Sequence, residues 1–329
     1  MKSRTILGLS VAVVLLTTSF LSEAQERKAG RVWRIGWLSP APSATGASEF
    51  EALRRGLGEL GYIEGQNITI EARWANGDAA RLPRLARALA ELNVDVICTA
   101  ATPATLAAKQ ATTTIPIVFG RAAFPERTGL VTSLARPGGN LTGVAFIGPE
   151  YGKRLELLRE VSPKVSRVAL LYNDQNSASV LAMNETQEWA KTLQIASEPL
   201  GVHDRASLET AFAAIRRGHP DALMTTADAL LASYRAPIVE FANGRRLLSM
   251  YGDRDYVVAG GLMFYGTSLT DMWRHAAIYI DRILKGAKPG ELPVEQPTKF
   301  ELVINMKAAK SLGLTIPGAL LIRADQVIE

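Results

Sequence analysis

The chain has 329 residues, long enough for two domains of ordinary size. Hydrophobic residues make up 47% and charged residues 21%, with no low-complexity tract, which excludes a disordered or fibrous protein. The formal charge of +5 is spread along the length, without the basic patch or arm of a nucleic-acid binder.

Lys2 and Arg4 precede the apolar stretch Ile6–Leu21, and Ser22-Glu23-Ala24 then gives way to polar residues at Gln25. That order of charge, apolar run and small residues predicts a secretory signal peptide over 1–24, cleaved after Ala24. A single membrane anchor is the alternative, but Ser10, Thr17, Thr18 and Ser19 interrupt the stretch, leaving it short of the roughly 20 apolar residues a span needs. No cysteine stands at the cleavage point to take a lipid, and no later segment is comparably apolar. The expectation is therefore a free, soluble protein of the periplasm; a monomer is also expected.

Beyond the leader, short β-rich runs alternate with helical patterns. Strands are predicted at Val32–Leu38, Ile68–Trp74, Val94–Thr99, Ile115–Phe119 and Leu141–Ala145, with helices at Glu49–Leu60, Leu82–Leu92 and Pro103–Gln110 between them. The lone cysteine, Cys98, falls in the third of these strands, so no intramolecular disulfide is available and a buried, inert thiol is expected. The rhythm then restarts. Helices are predicted at Tyr151–Glu160, Ala178–Thr192, Leu208–Arg216, Leu231–Asn243 and Leu269–Leu284, and strands at Val168–Tyr172, Ile195–Leu200, Ala222–Thr226 and Leu247–Tyr251.

Continuous apolar strands separated by amphipathic helices indicate an α/β protein with parallel sheets. Either an eight-fold barrel or two doubly wound lobes would satisfy that pattern. The halves favour lobes: Asp95–Thr102 aligns with Asp221–Asp228, Ile35–Leu38 with Val168–Leu171, and Phe119-Gly120 with Tyr251-Gly252. A barrel would repeat every βα unit, about 30 residues, not every half-chain. The predicted division is an N-terminal lobe of 32–146 plus 262–291 and a C-terminal lobe of 147–261 plus 292–329. Crossings are expected near Ala145–Pro149, Gly260–Leu262 and Gly290–Pro293, with Gly260 and Gly261 free to absorb hinge rotation.

Ligands of open parallel sheets bind beyond the carboxyl ends of the strands. In the first lobe those ends carry Ser39, Ala101-Thr102-Pro103 and Gly120; in the second they carry Asn173, Asp228 and Tyr251. Thr102-Pro103 reads as N-cap and first helical residue, either a plain cap or a helix start whose N–H groups meet an anion. Asp228 holds the matching place, to receive an ammonium group or to cap the helix that follows. Together the two suit a zwitterion. Tyr251 and Tyr265, with Phe119, either stack on a ligand or fill the core. Asn173 bonds a ligand or steadies its own turn.

No phosphate-binding loop, dinucleotide fingerprint or nucleophile elbow occurs, and His203, His219 and His275 lack metal-ligand spacing. No catalytic residue, metal or cofactor is predicted.

Several separated stretches carry a family resemblance. They are Phe50–Ile68 (FEALRRGLGELGYIEGQNI), Thr102-Pro103-Ala104, Lys109–Thr112, Leu134–Gly143 (LARPGGNLTG), Ala259–Gly266 (AGGLMFYG), Ile283–Ala287 and Leu292–Thr298. The chain resembles the bacterial ABC-transporter substrate-binding family that includes tryptophan- and tyrosine-type binding proteins. The resemblance implies a type I periplasmic-binding-protein fold: two doubly wound α/β lobes joined by three crossings. It also implies capture of a small molecule, in known members often an aromatic amino acid, by hinge closure. Delivery to a membrane permease and its ATPase would follow, with Thr102, Asp228 and Tyr251 at cleft positions. Arg121 and Phe124–Arg127 depart from the Asp-Pro-Val-like segment that relatives carry there. A ligand sensor for a membrane receptor, or an enzyme on the same scaffold, are the rival readings.

Overall fold

A computed structural model describes residues 31–146 and 150–329, and the predicted leader lies outside the described residues. The first sheet contains β1 (Trp33–Ser39), β2 (Ile68–Trp74), β3 (Val96–Ala100), β4 (Ile117–Ala123) and β5 (Leu141–Phe146), in the order β2-β1-β3-β4-β5 with every pair parallel. Alternation along the strands sends side chains to both faces. Leu38, Ile97 and Phe119 pack under α2 (Leu82–Glu91) and α3 (Thr102–Ala111). Ile35, Trp37, Cys98 and Val118 pack under α1 (Ser43–Glu59). Cys98 is buried, and burial pushes its thiol well above the ordinary range.

The second lobe opens with α4 (Glu150–Val161), followed by β6 (Arg167–Asn173), α5 (Ser177–Thr192), β7 (Ala196–Val202), α6 (Arg205–Gly218) and β8 (Ala222–Thr225). Then come α7 (Ala229–Ser233), α8 (Arg235–Gly244), β9 (Leu248–Tyr251), α9 (Asp255–Val258) and β10 (Met263–Thr267). The chain returns to the first lobe as α10 (Leu269–Leu284), whose Trp273, Ala276 and Ile280 complete the core beside α1. It finishes in the second with β11 (Phe300–Asn305), α11 (Met306–Leu312), α12 (Gly318–Arg323) and β12 (Gln326–Ile328). The second sheet runs β12-β11-β10-β9-β8-β6-β7, parallel except for β10 with β11. Its β7-β6-β8-β9-β10 portion repeats the first sheet's winding strand for strand.

Three expectations need correction. The helix predicted over Leu231–Asn243 is two helices, broken at Tyr234. Pro237 explains the break, because a proline ring collides with the carbonyl four residues earlier, here Ser233. The helix predicted from Glu49 begins at Ser43 instead.

The crossings also fall elsewhere. β10 belongs to the second sheet, so the return to the first lobe is at Ser268, and Gly260–Leu262 lie inside the second lobe, with Gly261 N–H bonded to Tyr256 O at 2.8 Å. Residues 292–295 still belong to the first lobe: Val294 N–H donates to Leu134 O at 2.7 Å and Ala145 N–H to Glu295 O at 2.8 Å. The last crossing therefore lies between Glu295 and β11. The expected crossing at Ala145–Pro149 extends into residues outside those described.

Candidate functional site

Each sheet reverses its winding direction beside its first strand, between β1 and β3 in one lobe and between β6 and β8 in the other. A crevice opens at such a switch point. The two crevices face one another across a partly open cavity of about 60 Å³, lined from both lobes, with a larger neighbouring outer chamber of about 280 Å³. Ser39, Ala101, Thr102 and Asp228 line the inner cavity; Pro103 and Asn173 line the outer one.

Helix α3 starts differently from its predicted form. Its N-cap is Ala101, with no side-chain cap, and Thr102 is the first helical residue. The Thr102 hydroxyl is turned to the end of β4, accepting from Ala123 N–H at 3.0 Å. Ala101 has φ 68° and ψ 157°, a region open essentially to glycine. Thr105 holds the turn through its N–H at 3.2 Å and hydroxyl at 3.0 Å, both donated to Ala101 O. The helix thus presents an uncapped N-terminus to the cavity, with one donor already removed by Pro103. Ala101→Gly is expected to stabilise the fold by about 1 kcal/mol, since relief of strain exceeds the added entropy of the unfolded glycine. Chemical denaturation checks this, and a lower midpoint would show the turn to be unstrained.

Asp228 is 5% exposed and caps α7. One carboxylate oxygen accepts from the backbone N–H of Leu230 at 2.8 Å and Leu231 at 3.3 Å, and from Asn173 Nδ2 at 3.1 Å. The other accepts from Asn176 Nδ2 at 2.8 Å, while Asn176 Oδ1 caps α5 by accepting from Ala178 N–H at 3.1 Å. Both roles weighed for Asn173 and Asp228 in the sequence are thus partly local: the amide orients the carboxylate, and the carboxylate caps a helix at the cavity wall.

The sequence pattern left unassigned a buried ionic contact between the lobes. Arg121, at the end of β4, donates through Nη1 to Glu49 of α1 at 2.5 Å, and through Nη2 to both oxygens of Asp253 in the other lobe at 3.0 and 3.1 Å. The three side chains are 13%, 12% and 10% exposed and line the inner cavity. Burial pushes the Glu49 and Asp253 carboxyls above their ordinary range, against the pull of Arg121. The guanidinium also lies over the Phe146 ring, 5.6 Å from its centroid.

Gly120, Tyr251 and Tyr265 do not line this cavity, and Phe119 is buried in the first lobe's core. Gly120 leaves space for another side chain, since a Cβ there would lie 2.1 Å from the Trp273 ring. Tyr251 is fully buried and stacked on Tyr256, centroids 4.7 Å apart. Tyr265 stacks on Phe300 at 5.9 Å. Core packing claims Phe119 and Tyr251, and Tyr265 is half-buried against the second lobe's core. His203 lies 3.1 Å from Asp174, His275 2.5 Å from Glu295, and His219 ends α6 in a left-handed conformation. Among the described residues no helix is long and apolar enough to cross a membrane.

Two like-wound lobes whose polar strand tips close around a cavity define a two-lobed binder of small molecules. The profile described as ABC transporter substrate binding protein matches residues 46–328, and the chain belongs to that family. It is similar to the tyrosine-binding protein of Clostridioides difficile (strain R20291), 26% identical over 260 residues that span 79% of this chain and 75% of the relative. Among solved structures it is similar to an ABC domain from Streptococcus pneumonia in complex with L-Trp, at 26% identity and TM-score 0.85, covering 90% of this chain and all of that one. A conserved domain protein from Vibrio cholerae matches at 29% identity and TM-score 0.86, with the same coverage. The fold is the type I periplasmic-binding-protein fold.

Proposed function

We propose that the chain is the periplasmic solute receptor of an ABC importer, which takes an amino acid into the inter-lobe cavity and passes it to a membrane permease and its ATPase. One observation carries this reading: the uncapped start of α3 and the Asp228 carboxylate, from opposite lobes, line the same inter-lobe cavity. The first attracts a carboxylate through free N–H groups and the helix dipole. The second, held in place by Asn173 and Asn176, attracts an ammonium group. The tyrosine- and tryptophan-binding relatives support an amino acid as the guest. Contacts from both lobes are complete only when the cavity is shut, so binding favours the closed form by its differential affinity. The protein binds and releases its guest unchanged, acts as a monomer, and reaches the periplasm through a cleaved, unlipidated leader.

Mass spectrometry of the small molecule carried through native purification tests the reading; a guest with no amino or carboxylate group would end it. Asp228→Asn keeps the α7 cap but removes the charge, and is expected to weaken amino-acid binding by about a hundredfold or more, because a buried ammonium loses its counter-charge. Calorimetric titration checks this, and an unchanged affinity removes Asp228 from the site.

A further inference from the structure

The inner cavity wall carries more acid than base. Glu49, Asp228, Asp253 and Asp255 line it against Arg121 and Arg235. Asp255 lies 3.8 Å from Arg235, whose buried Nη1 makes no hydrogen bond among the described residues. Asp228 has only neutral partners, two backbone N–H groups and two asparagine amides. Glu49 and Asp253 share the single guanidinium of Arg121. Counted as formal charges, two carboxylates therefore lack a cation.

An amino acid bound through Asp228 and the start of α3 supplies one ammonium and one carboxylate. The ammonium answers Asp228, and the carboxylate goes to the helix. The Glu49–Arg121–Asp253 group stays one positive charge short in a space that closure has dried. Arg121 reaches only one oxygen of Glu49; Oε2 accepts no hydrogen bond among the described residues. Burying a carboxylate oxygen without a partner is costly, and an apolar side chain laid against it would remove its remaining water and give nothing back. Phe146 is the one aromatic ring in the described wall, and it already lies under Arg121.

We propose that Glu49 and Asp253 set the specificity of the cavity, selecting an amino acid whose side chain carries a positive charge, an ammonium or a guanidinium, which the two carboxylates receive beside Arg121. This rests on the reading above, in which Asp228 and α3 hold the ligand's backbone groups. Specificity then works in both directions, since the same carboxylates that attract the cation reject a neutral ring.

The test is calorimetric titration of the secreted chain, freed of carried-over ligand by denaturation and refolding, with L-arginine, L-lysine, L-citrulline, L-tyrosine and L-tryptophan. Arginine and citrulline share nearly the same shape and differ in charge. The expected result is that arginine or lysine binds best, arginine at least about thirtyfold tighter than citrulline, as a charged hydrogen-bonded partner requires. In Glu49→Gln that ratio is expected to fall below about fivefold, for the same reason. Tyrosine or tryptophan binding tighter than both cationic probes, or arginine and citrulline binding alike, overturns the proposal while leaving amino-acid capture standing. A ratio unmoved by Glu49→Gln also overturns it; should that variant fail to fold, the wild-type ranking decides. Binding of none of the five at millimolar concentration removes the amino-acid reading itself, and the proposal with it.

Discussion

Arg121→Met is expected to open the ligand-free chain. The guanidinium is the one cation between Glu49 of the first lobe and Asp253 of the second, and all three groups are nearly out of water. Taking it away leaves two buried carboxylates confronting each other across the lobe boundary. Removing one partner of a buried ion pair costs about 3–5 kcal/mol, because the remaining charge is stranded. That cost falls on the closed form alone, since in an open cleft both carboxylates regain water. A shift of that size changes the closed-to-open ratio by a factor of about 10² to several times 10³. Small-angle scattering should show a larger radius of gyration for Arg121→Met than for the parent without ligand. Adding Glu49→Gln and Asp253→Asn to it should restore the compact form, because no charge is left to strand. An unchanged scattering profile for Arg121→Met would show that the lobes are held together by something else.

Gly120→Ala is expected to lower the melting temperature more than any other glycine-to-alanine change in the first sheet's central strands. Its Cβ would lie 2.1 Å from Trp273 Cζ3 and within 2.6 Å of two further atoms of that ring. Trp273 cannot retreat: it is fully buried and packed against Trp37, centroids 5.0 Å apart. Overpacking of a rigid core costs on the order of 3 kcal/mol, or roughly 6–12 °C for a protein of this class. Gly58→Ala is the control, because nothing lies within 4 Å of its Cβ and alanine suits a helix interior. Equal melting temperatures for the two variants would show that α10 can shift away from the sheet.

The fold was readable because its signals are local. The strand Ile68–Trp74 and the helix Leu269–Leu284 agree with prediction to the residue, since period-2 and period-3.6 apolar patterns are written in neighbouring positions. The repeat of the halves was readable for the same reason. Part of the candidate site was legible through strand tips: Ser39, Ala101, Thr102 and Asp228 reach the inner cavity. The role of the aromatics was not legible, because a tyrosine at a strand end reads the same whether it faces a guest or, like Tyr251, lies flat on Tyr256. Glu49, Arg121 and Asp253 are separated by 72 and 132 positions, and no local pattern joins them. One signal was available. Aligning the halves sets Phe119-Gly120 against Tyr251-Gly252, and the next residues in each are Arg121 and Asp253, of opposite sign. The two residues do meet across the lobe boundary, so their matched places and opposite charge were a signal of that contact.

The route of α10 governs the order in which the protein can be completed. Its Trp273, Ala276 and Ile280 seal the face of the first sheet that carries Ile35, Trp37 and Val118. A chain emerging from a ribosome or a translocation channel displays that face long before the helix that covers it. The first lobe therefore cannot finish before most of the second has been delivered, and late closure of so distant a contact makes folding slow. A polypeptide that stays unfinished until nearly its whole length is available remains threadable for as long as its covering helix is missing.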